Sequence, residues 1–333
     1  MARRAVVTGL GAYAPEHVLT NQDLEKIVDT SDEWIVTRTG IKERRIASEQ
    51  ETTSSMAVIA SRRALEDAGI SGDDLDFILL ATNTPDTPFP ATAARVQNAI
   101  ATKPVASIDV QAGCTGLVYG LEMASALIQA GSARRVLVIG ADKLSSITDY
   151  QDRTTAVLFG DGAGALVLEA QEDASYGILG SYLRADGSGT DLLSMPAGGS
   201  ALPASHETVE SRQHYLKMKG NETFKFAVKV EPEAVEGALK QAGLTEKDID
   251  LLVPHQANLR IIDAAAKRFS LEADHTMVNI DHYGNTSVAS IPLALAEARE
   301  SGRLHTGDVV VLVAFGAGLT WGSNVIRWGN PQK

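Results

Sequence analysis

What this sequence has little of narrows the field first. One cysteine, Cys114, stands among 333 residues, so no disulfide framework exists and the expected compartment is reducing and cytoplasmic. Basic residues are outnumbered, and 30 − 42 gives a formal charge of −12. That balance argues against a general nucleic-acid binder. No apolar run approaches the roughly 20 residues of a membrane span. The opening MARRAVVTGLGAYAP has glycines and a proline where a signal peptide needs a long apolar stretch. No Cys/His cluster has metal-ligand spacing, so no metal is expected. Aromatics are scarce at 5 %, yet hydrophobic residues reach 44 % and charged ones 22 %, the balance of a globular chain. Glycine is plentiful, 29 against 11 prolines, which suits an α/β protein with many tight strand–helix turns. The length is too great for one ordinary core and invites two domains or one doubled domain.

The chain repeats itself. Residues 64–80, ALEDAGISGDDLDFILL, match residues 238–254, ALKQAGLTEKDIDLLVP. Each reads as a helix, an Ala-Gly stop, a short acidic turn and a buried apolar strand. SIDVQAGCTGLVYGLEMASALIQAG (107–131) faces NIDHYGNTSVASIPLALAEARESG (279–302), each a strand, a glycine turn and a helix opening on small residues. RRVLVIGAD (134–142) faces DVVVLVAFGAG (308–318), both buried strands. Three blocks in one order, offset by about 171 to 174 residues, indicate an internal duplication. Two α/β halves with mixed, mainly parallel sheets covered by helices follow, over residues 1–172 and 221–333. An irregular Gly/Pro/Ser-rich connection over 173–220 joins them, and loops of that length often line a functional site. Residues 14–58 read as a second insertion, largely helical.

Within the repeat, Gly113-Cys114-Thr115 lies opposite Gly284-Asn285-Thr286. Both polar residues fall where a strand turns into a helix, and a pseudo-twofold would bring the two helix starts together. Unpaired N–H groups at a helix start bias a thiol towards thiolate. Cys114 is therefore a candidate nucleophile, set against a buried structural thiol. A nucleophile needs a proton acceptor and an oxyanion site. Of seven histidines, His255 ends a buried apolar strand, DLLVP, at the carboxyl edge where α/β sheets present functional groups. His282, three residues before Asn285, is the other candidate. GLGAYA (9–14) fits a dinucleotide fingerprint poorly, because Pro15 follows and no acidic strand end lies about 20 residues on. GDGAG (160–164) leads into an apolar strand, so close backbone packing behind the site is expected there.

DVQAGCTG, HQAN and HYGNTS, in that order and spacing, resemble the Cys-His-Asn set of the thiolase-like condensing enzymes, and within them the β-ketoacyl-acyl-carrier-protein synthase III family. DTSDEWIVTRTGIKER and FGDGAGALVLE extend the resemblance over nearly the whole chain. It implies an α/β, thiolase-like duplicated fold of five alternating layers (α-β-α-β-α). It also implies an acyltransferase that starts type II fatty-acid synthesis by decarboxylative Claisen condensation. Cys114 would take a short acyl group from acyl-CoA, which is a substrate, with no cofactor needed. Malonyl-acyl-carrier protein would then lose carbon dioxide and its carbanion would attack the thioester. His255 and Asn285 would hydrogen-bond the enolate oxygen, and the helix dipole would lower the Cys114 pKa. The Cys114 N–H, with one from Phe315–Gly318, would hold the acyl oxyanion. Phe315 would form an apolar wall, and Ala317 would keep a backbone donor in GAGLTWG (316–322), which departs from the family's GGGFTWG. Ala317 then needs a negative φ.

The resemblance carries Trp34, Arg38, Arg153 and Asn258 to the CoA arm. Trp34 and Arg38 lie four apart in a helix that Thr30 and Glu33 would open as a capping box. Phe89 would cross a homodimer interface to line the partner's acyl tunnel. For an acidic carrier protein the candidates are Gln256, Ala257, Asn258, Leu259 and Arg260, with Lys225, Lys267 and Arg268. Lys217, Lys219 and Lys229 add charge nearby, and Lys225 shares a helix face with Lys229. Two other readings remain: a related condensing enzyme acting on CoA substrates, and a non-catalytic acyl-CoA-binding protein of the same fold. The intact Cys114, His255 and Asn285 set argues against the second.

Overall fold

The computed structural model describes residues 3–172 and 175–329. The first half runs β1 (Arg4–Tyr13), β2 (Val18–Thr20), α1 (Asn21–Leu24), α2 (Asp32–Thr39), β3 (Glu43–Arg45), α3 (Thr53–Ala68), β4 (Phe77–Ala81) and α4 (Thr92–Ile100). It continues with β5 (Ala106–Val110), α5 (Gly116–Gln129), β6 (Arg135–Asp142), α6 (Arg153–Ala156) and β7 (Gly162–Gln171). Its main sheet has the order β1-β7-β6-β4-β5, with β4 parallel to β5 and β6 and with β7 antiparallel to β1 and β6. The second half runs β8 (Gly177–Ala185), β9 (Leu193–Ser194), α7 (His206–Glu210), β10 (Lys217–Met218), α8 (Gly220–Ala242) and β11 (Leu251–Pro254). Then follow α9 (Leu259–Arg268), α10 (Ile280–Tyr283), α11 (Ser290–Glu300), β12 (Val309–Gly316) and β13 (Thr320–Arg327). Its sheet has the order β11-β12-β13-β8.

The layers follow from which helix faces are apolar. α5 buries Leu117, Val118, Leu121, Ala124 and Ile128, and a helix that apolar has to lie between two surfaces. It packs with Ile291 and Leu295 of α11 against Val136 and Val138 of one sheet and Val310 and Leu312 of the other. α3 and α4 cover the outer face of the first sheet, and α8 and α9 that of the second. The result is a duplicated five-layer sandwich: the repeat predicts its two halves, and the resemblance implies its five layers.

Four expectations are corrected. The two main sheets are not mainly parallel: four of their seven strand pairs are antiparallel, because β7, β8 and β13 return without a helical crossover. β8 lies inside the stretch read as connection, yet it pairs along its length with β13. The second half therefore begins at 177, and the irregular part is 186–219; the expected boundary at 173 lies outside the described residues. GILGSYLRA hid this strand because its glycines and polar residues break the apolar alternation. The 14–58 insertion is less helical than expected: α1, α2 and the start of α3 cover under half of it, and β2 pairs with β3 in a short ribbon. Its anchor is the fully buried Arg44, which donates to Leu19 O (3.0 Å), Asn21 Oδ1 (3.0 Å) and Val157 O (2.8 Å). Finally, α5 and α11 start 174 residues apart, as do β6 and β12. On that offset the counterpart of Cys114 is Val288, not Asn285, because α10 (Ile280–Tyr283) is a short helix where the first half has a strand. Ser287 then matches Gly113, and both have φ of +52°.

One buried group works against the fold. Glu231 of α8 is 1 % exposed and neither carboxyl oxygen has a hydrogen-bond partner. Burial raises its pKa well above the ordinary value of 4.5. The unfolded chain ionises first, so stability falls as pH rises through and beyond that value. Glu231→Met should stabilise the protein at pH 8 by about 1–3 kcal/mol, with the gain shrinking towards pH 4. Urea unfolding at the two pH values checks this.

Candidate active site

Cys114 sits in the turn between β5 and α5, directly under the end of β12. A Cβ on Gly316 would fall 2.4 Å from the Cys114 nitrogen, and one on Gly113 would fall 2.6 Å from the Ala317 nitrogen. The two backbones can lie this close only because both positions are glycine. Cys114 forms part of the floor of a cleft of about 270 Å³, whose walls include Trp34, Phe224, His255, Asn285 and Phe315. It also borders a second cavity of about 270 Å³, lined by Leu144, Ile147, Leu216 and Ala317 together with Asn83 and Ser287. Ala317 does not have a positive φ, as its side chain requires.

The thiol is not acidified in the free protein. Cys114 keeps some exposure to the cleft, yet the atoms packed round it push its pKa up to about 12 by burial. The Asp142 charge adds to the rise, while the Ser287 hydroxyl, 3.4 Å from Sγ, and the cysteine's own backbone oppose it. This corrects the thiolate expected from sequence. α5 begins two residues later, at Gly116, and desolvation of the sulfur outweighs the donors around it.

His255 follows β11 and is held by its backbone N–H on Val313 O at 2.8 Å. The ring is 1 % exposed, and burial lowers its pKa to about 3. It is therefore a neutral imidazole. Nδ1 lies 2.7 Å from Ser290 Oγ; with that hydroxyl donating, the ring proton sits on Nε2. The Phe315 ring is 5.7 Å away, tilted by 60°. Asn285 is fixed at both ends. Its backbone pairs with Leu158 O (2.8 Å) and Gly160 N (3.0 Å), and its Oδ1 accepts the Ser287 N–H at 2.9 Å. Oδ1 is thereby used, and Nδ2 is left as the donor. A Cβ on Gly160 would lie 2.3 Å from Tyr283 O, so GDGAG packs behind the site. His282 is turned away: it bonds Asp281 (2.9 Å) and Glu297 (3.1 Å) and borders a separate polar cavity.

The outer residues divide. Trp34 carries the Arg38 guanidinium 4.6 Å and the Arg153 guanidinium 5.2 Å from its ring centroid. Its helix is capped by Ser31, not by Thr30 with Glu33. Asn258 caps α9 through Arg260 N (2.9 Å) and donates to Arg38 O (2.9 Å), so it ties α2 to α9. Arg260 lies over Phe224 at the mouth, where Ala257 also borders the cleft. Gln256 is 1 % exposed, with its amide spent on Pro254 O, Met277 O and Asn279 N. It braces the turn and cannot meet a docked protein. Leu259 packs on Gly40. Arg268 is engaged by Glu236 and Glu246, and Lys217 by Asp149. Arg260, Lys225, Lys229 and Lys267 remain as exposed cations. Phe89 is 88 % exposed and lines neither cavity of its own chain. Sequence reasoning missed Ser287, Ser290, Asn83 and Asp142; the NTS triplet displayed Ser287 without indicating what it touches.

A cysteine, a neutral histidine and an asparagine gathered where two duplicated halves meet define a thiolase-like condensing enzyme. Residues 108–187 match the family model for 3-oxoacyl-[acyl-carrier-protein] synthase III, and residues 239–328 match the model for its C-terminal part. Over 97 % of its length the chain is 56 % identical to the β-ketoacyl-[acyl-carrier-protein] synthase III of Caldanaerobacter subterraneus subsp. tengcongensis, covering 98 % of that protein. It is 54 % identical to the synthase III of Symbiobacterium thermophilum, covering 97 % of this chain and 98 % of that one. The crystal structure of 3-oxoacyl-[acyl-carrier-protein] synthase III from Aquifex aeolicus superposes with a TM-score of 0.90 at 47 % identity, covering 97 % of this chain and all of that one. The chain belongs to the β-ketoacyl-[acyl-carrier-protein] synthase III family of condensing acyltransferases. No helix among the described residues is long and apolar enough to cross a membrane.

The two histidines should part company on titration. His255 should keep a neutral-ring NMR signature from pH 8 down to pH 5. His282, raised above 6.5 first by its bond to Glu297 and then by Asp281, should protonate at a pH above that value. A His255 ring that titrated near 6.5 would contradict the burial argument.

Proposed function

We propose that the chain condenses a short primer acyl-CoA with malonyl-acyl-carrier protein to give 3-oxoacyl-acyl-carrier protein, through an acyl thioester on Cys114. One observation carries this reading: Cys114 stands between a cleft that holds two uncharged donors and a second cavity with apolar walls. Cys114 gives up its proton and its sulfur adds to the acyl carbonyl; the CoA sulfur leaves as a thiol after taking a proton. The acyl chain then lies in the second cavity, against Leu144, Ile147 and Leu216. His255 Nε2–H and Asn285 Nδ2–H donate to the malonyl thioester oxygen as the carboxylate departs as carbon dioxide. Phe315 keeps water and countercharge from that carboxylate. The carbanion attacks the Cys114 thioester, and the sulfur leaves and takes a proton from water, which restores the resting thiol. Because His255 is already neutral, its proton stabilises charge and is not given away.

The reading places the CoA arm along Trp34, Arg38 and Arg153, with the Cys114 N–H and the 315–318 backbone at the acyl oxyanion. It needs no metal or cofactor. It takes the protein as a cytoplasmic homodimer in which Phe89 is covered. Arg260, Lys225 and Lys267 would receive the acidic carrier.

Separate half-reactions test the roles. Cys114→Ala should abolish acylation yet still decarboxylate malonyl-carrier protein. His255→Ala and Asn285→Ala should each lose decarboxylation by roughly 10²–10³-fold, with acylation falling much less. A His255→Ala enzyme that decarboxylates normally but is not acylated would make His255 the base for Cys114 instead. Arg260→Glu should weaken carrier-dependent turnover in a salt-sensitive way. Arg268→Glu should change it little, since Glu236 and Glu246 already engage that guanidinium. Steady-state rates with carrier at two ionic strengths distinguish the pair.

A further inference from the structure

We propose that Ser287 is a positioning residue serving both reactive partners of the site, its hydroxyl donating to the Cys114 sulfur and its backbone N–H orienting Asn285. The inference rests on the reading of Cys114 as nucleophile and goes beyond it. Ser287 Oγ lies 3.4 Å from Cys114 Sγ, and Ser287 N lies 2.9 Å from Asn285 Oδ1. The direction of the hydroxyl proton follows from the groups behind it. The Asp142 carboxyl is fully buried and takes the backbone N–H groups of Asn83 (2.6 Å) and Thr84 (3.1 Å) and the Thr82 hydroxyl (3.0 Å). A carboxylate only accepts, so Asn83 must present its NH₂ to Asp142 Oδ2, at 2.9 Å. The same nitrogen reaches Ser287 Oγ at 3.1 Å. One lone pair of the hydroxyl is thereby occupied by a donor, so its own proton goes to an acceptor: the Cys114 sulfur at 3.4 Å, in competition with the Asp142 carboxyl, whose pKa the same hydroxyl lowers.

The backbone gives independent support. Ser287 has φ of +52°, in the left-handed region that side chains disfavour. The matching position in the first half is Gly113, with the same φ. A glycine would sit at 287 without strain, and the serine hydroxyl is what a glycine would lack. The titratable groups that face the sulfur are Asp142, whose charge disfavours a thiolate, and the neutral His255 across the cleft. Ser287 stands between that carboxylate network and the sulfur as the opposing donor.

The test uses the full-length protein with Ser287→Ala, which removes the hydroxyl and keeps the N–H, and Ser287→Gly, which also relaxes the backbone. Cys114 is the only thiol in the chain, so iodoacetamide alkylation followed against pH reads it alone. In both variants alkylation at pH 8 should slow about tenfold, the rate–pH line moving up by about one unit. Decarboxylation of malonyl-carrier protein should stay within about twofold of the parent, because the N–H to Asn285 remains. An alkylation profile unchanged in either variant overturns the proposal. So does a Ser287→Gly enzyme whose decarboxylation falls as far as its alkylation, since that marks a general collapse of the site. Alkylation reports the hydroxyl–sulfur contact whether or not Cys114 ever carries an acyl group. Failure of the acyl-thioester reading, seen as no adduct with acyl-CoA, is thus a separate result.

Discussion

The site depends on backbone lying directly on backbone where the two halves meet. Residues 113–114 of one half and 316–317 of the other approach so closely that a single added methyl at Gly113 or Gly316 would overlap a main-chain atom. This contact fixes where the sulfur stands relative to His255 and Phe315, which arrive on β11 and β12 of the second half. The middle layer, α5 and α11 between two sheets, makes the approach rigid, because well-packed interiors yield little to displacement. No loop has to order itself to bring the three residues together. The duplication thus gives more than economy of design: it generates the seam at which the chemistry is placed.

The second principle of the site is neutrality. His255 and Cys114 are both held uncharged in the free protein by burial. Asp142, the carboxyl next to the sulfur among the described residues, is surrounded by donors and does not line the cleft. A cleft walled by uncharged donors favours a transient enolate oxygen over a permanent ion pair, because its dipoles are already oriented when charge develops. Charge is instead kept outside, in Arg38, Arg153 and Arg260 around the mouth.

The parts of this arrangement that were legible in the sequence are those set by local pattern. Helix stops, apolar strands and glycine turns repeat at a fixed offset, and from them the duplicated halves and the placing of Cys114 and His255 at strand ends could be read; Asn285 came from the resemblance of HYGNTS. What was not legible depends on neighbours distant in sequence. β8 looks like a loop until β13 lies beside it. The thiol looks acidified until the atoms crowding it are known. Gln256 looks available until its amide is found bonded to Met277 and Asn279. Arg268 looks like docking charge until Glu236 and Glu246 are found next to it. Even the alignment of the two copies slipped, because the second copy has a helical turn, α10, where the first has β5.

Having a single thiol has a redox consequence. Cys114 has no second cysteine in the chain to act as a resolving partner, so a sulfenic acid formed there cannot close to an internal disulfide. Reversible protection would have to come from an outside thiol small enough to enter a cleft whose mouth is framed by Trp34 and Arg260. Without one, further oxidation would carry the sulfur to the sulfinic stage, which thiols do not reverse. The protonated resting thiol offsets this exposure, since peroxide attacks thiolate and a buried thiol with a pKa of about 12 presents little of it.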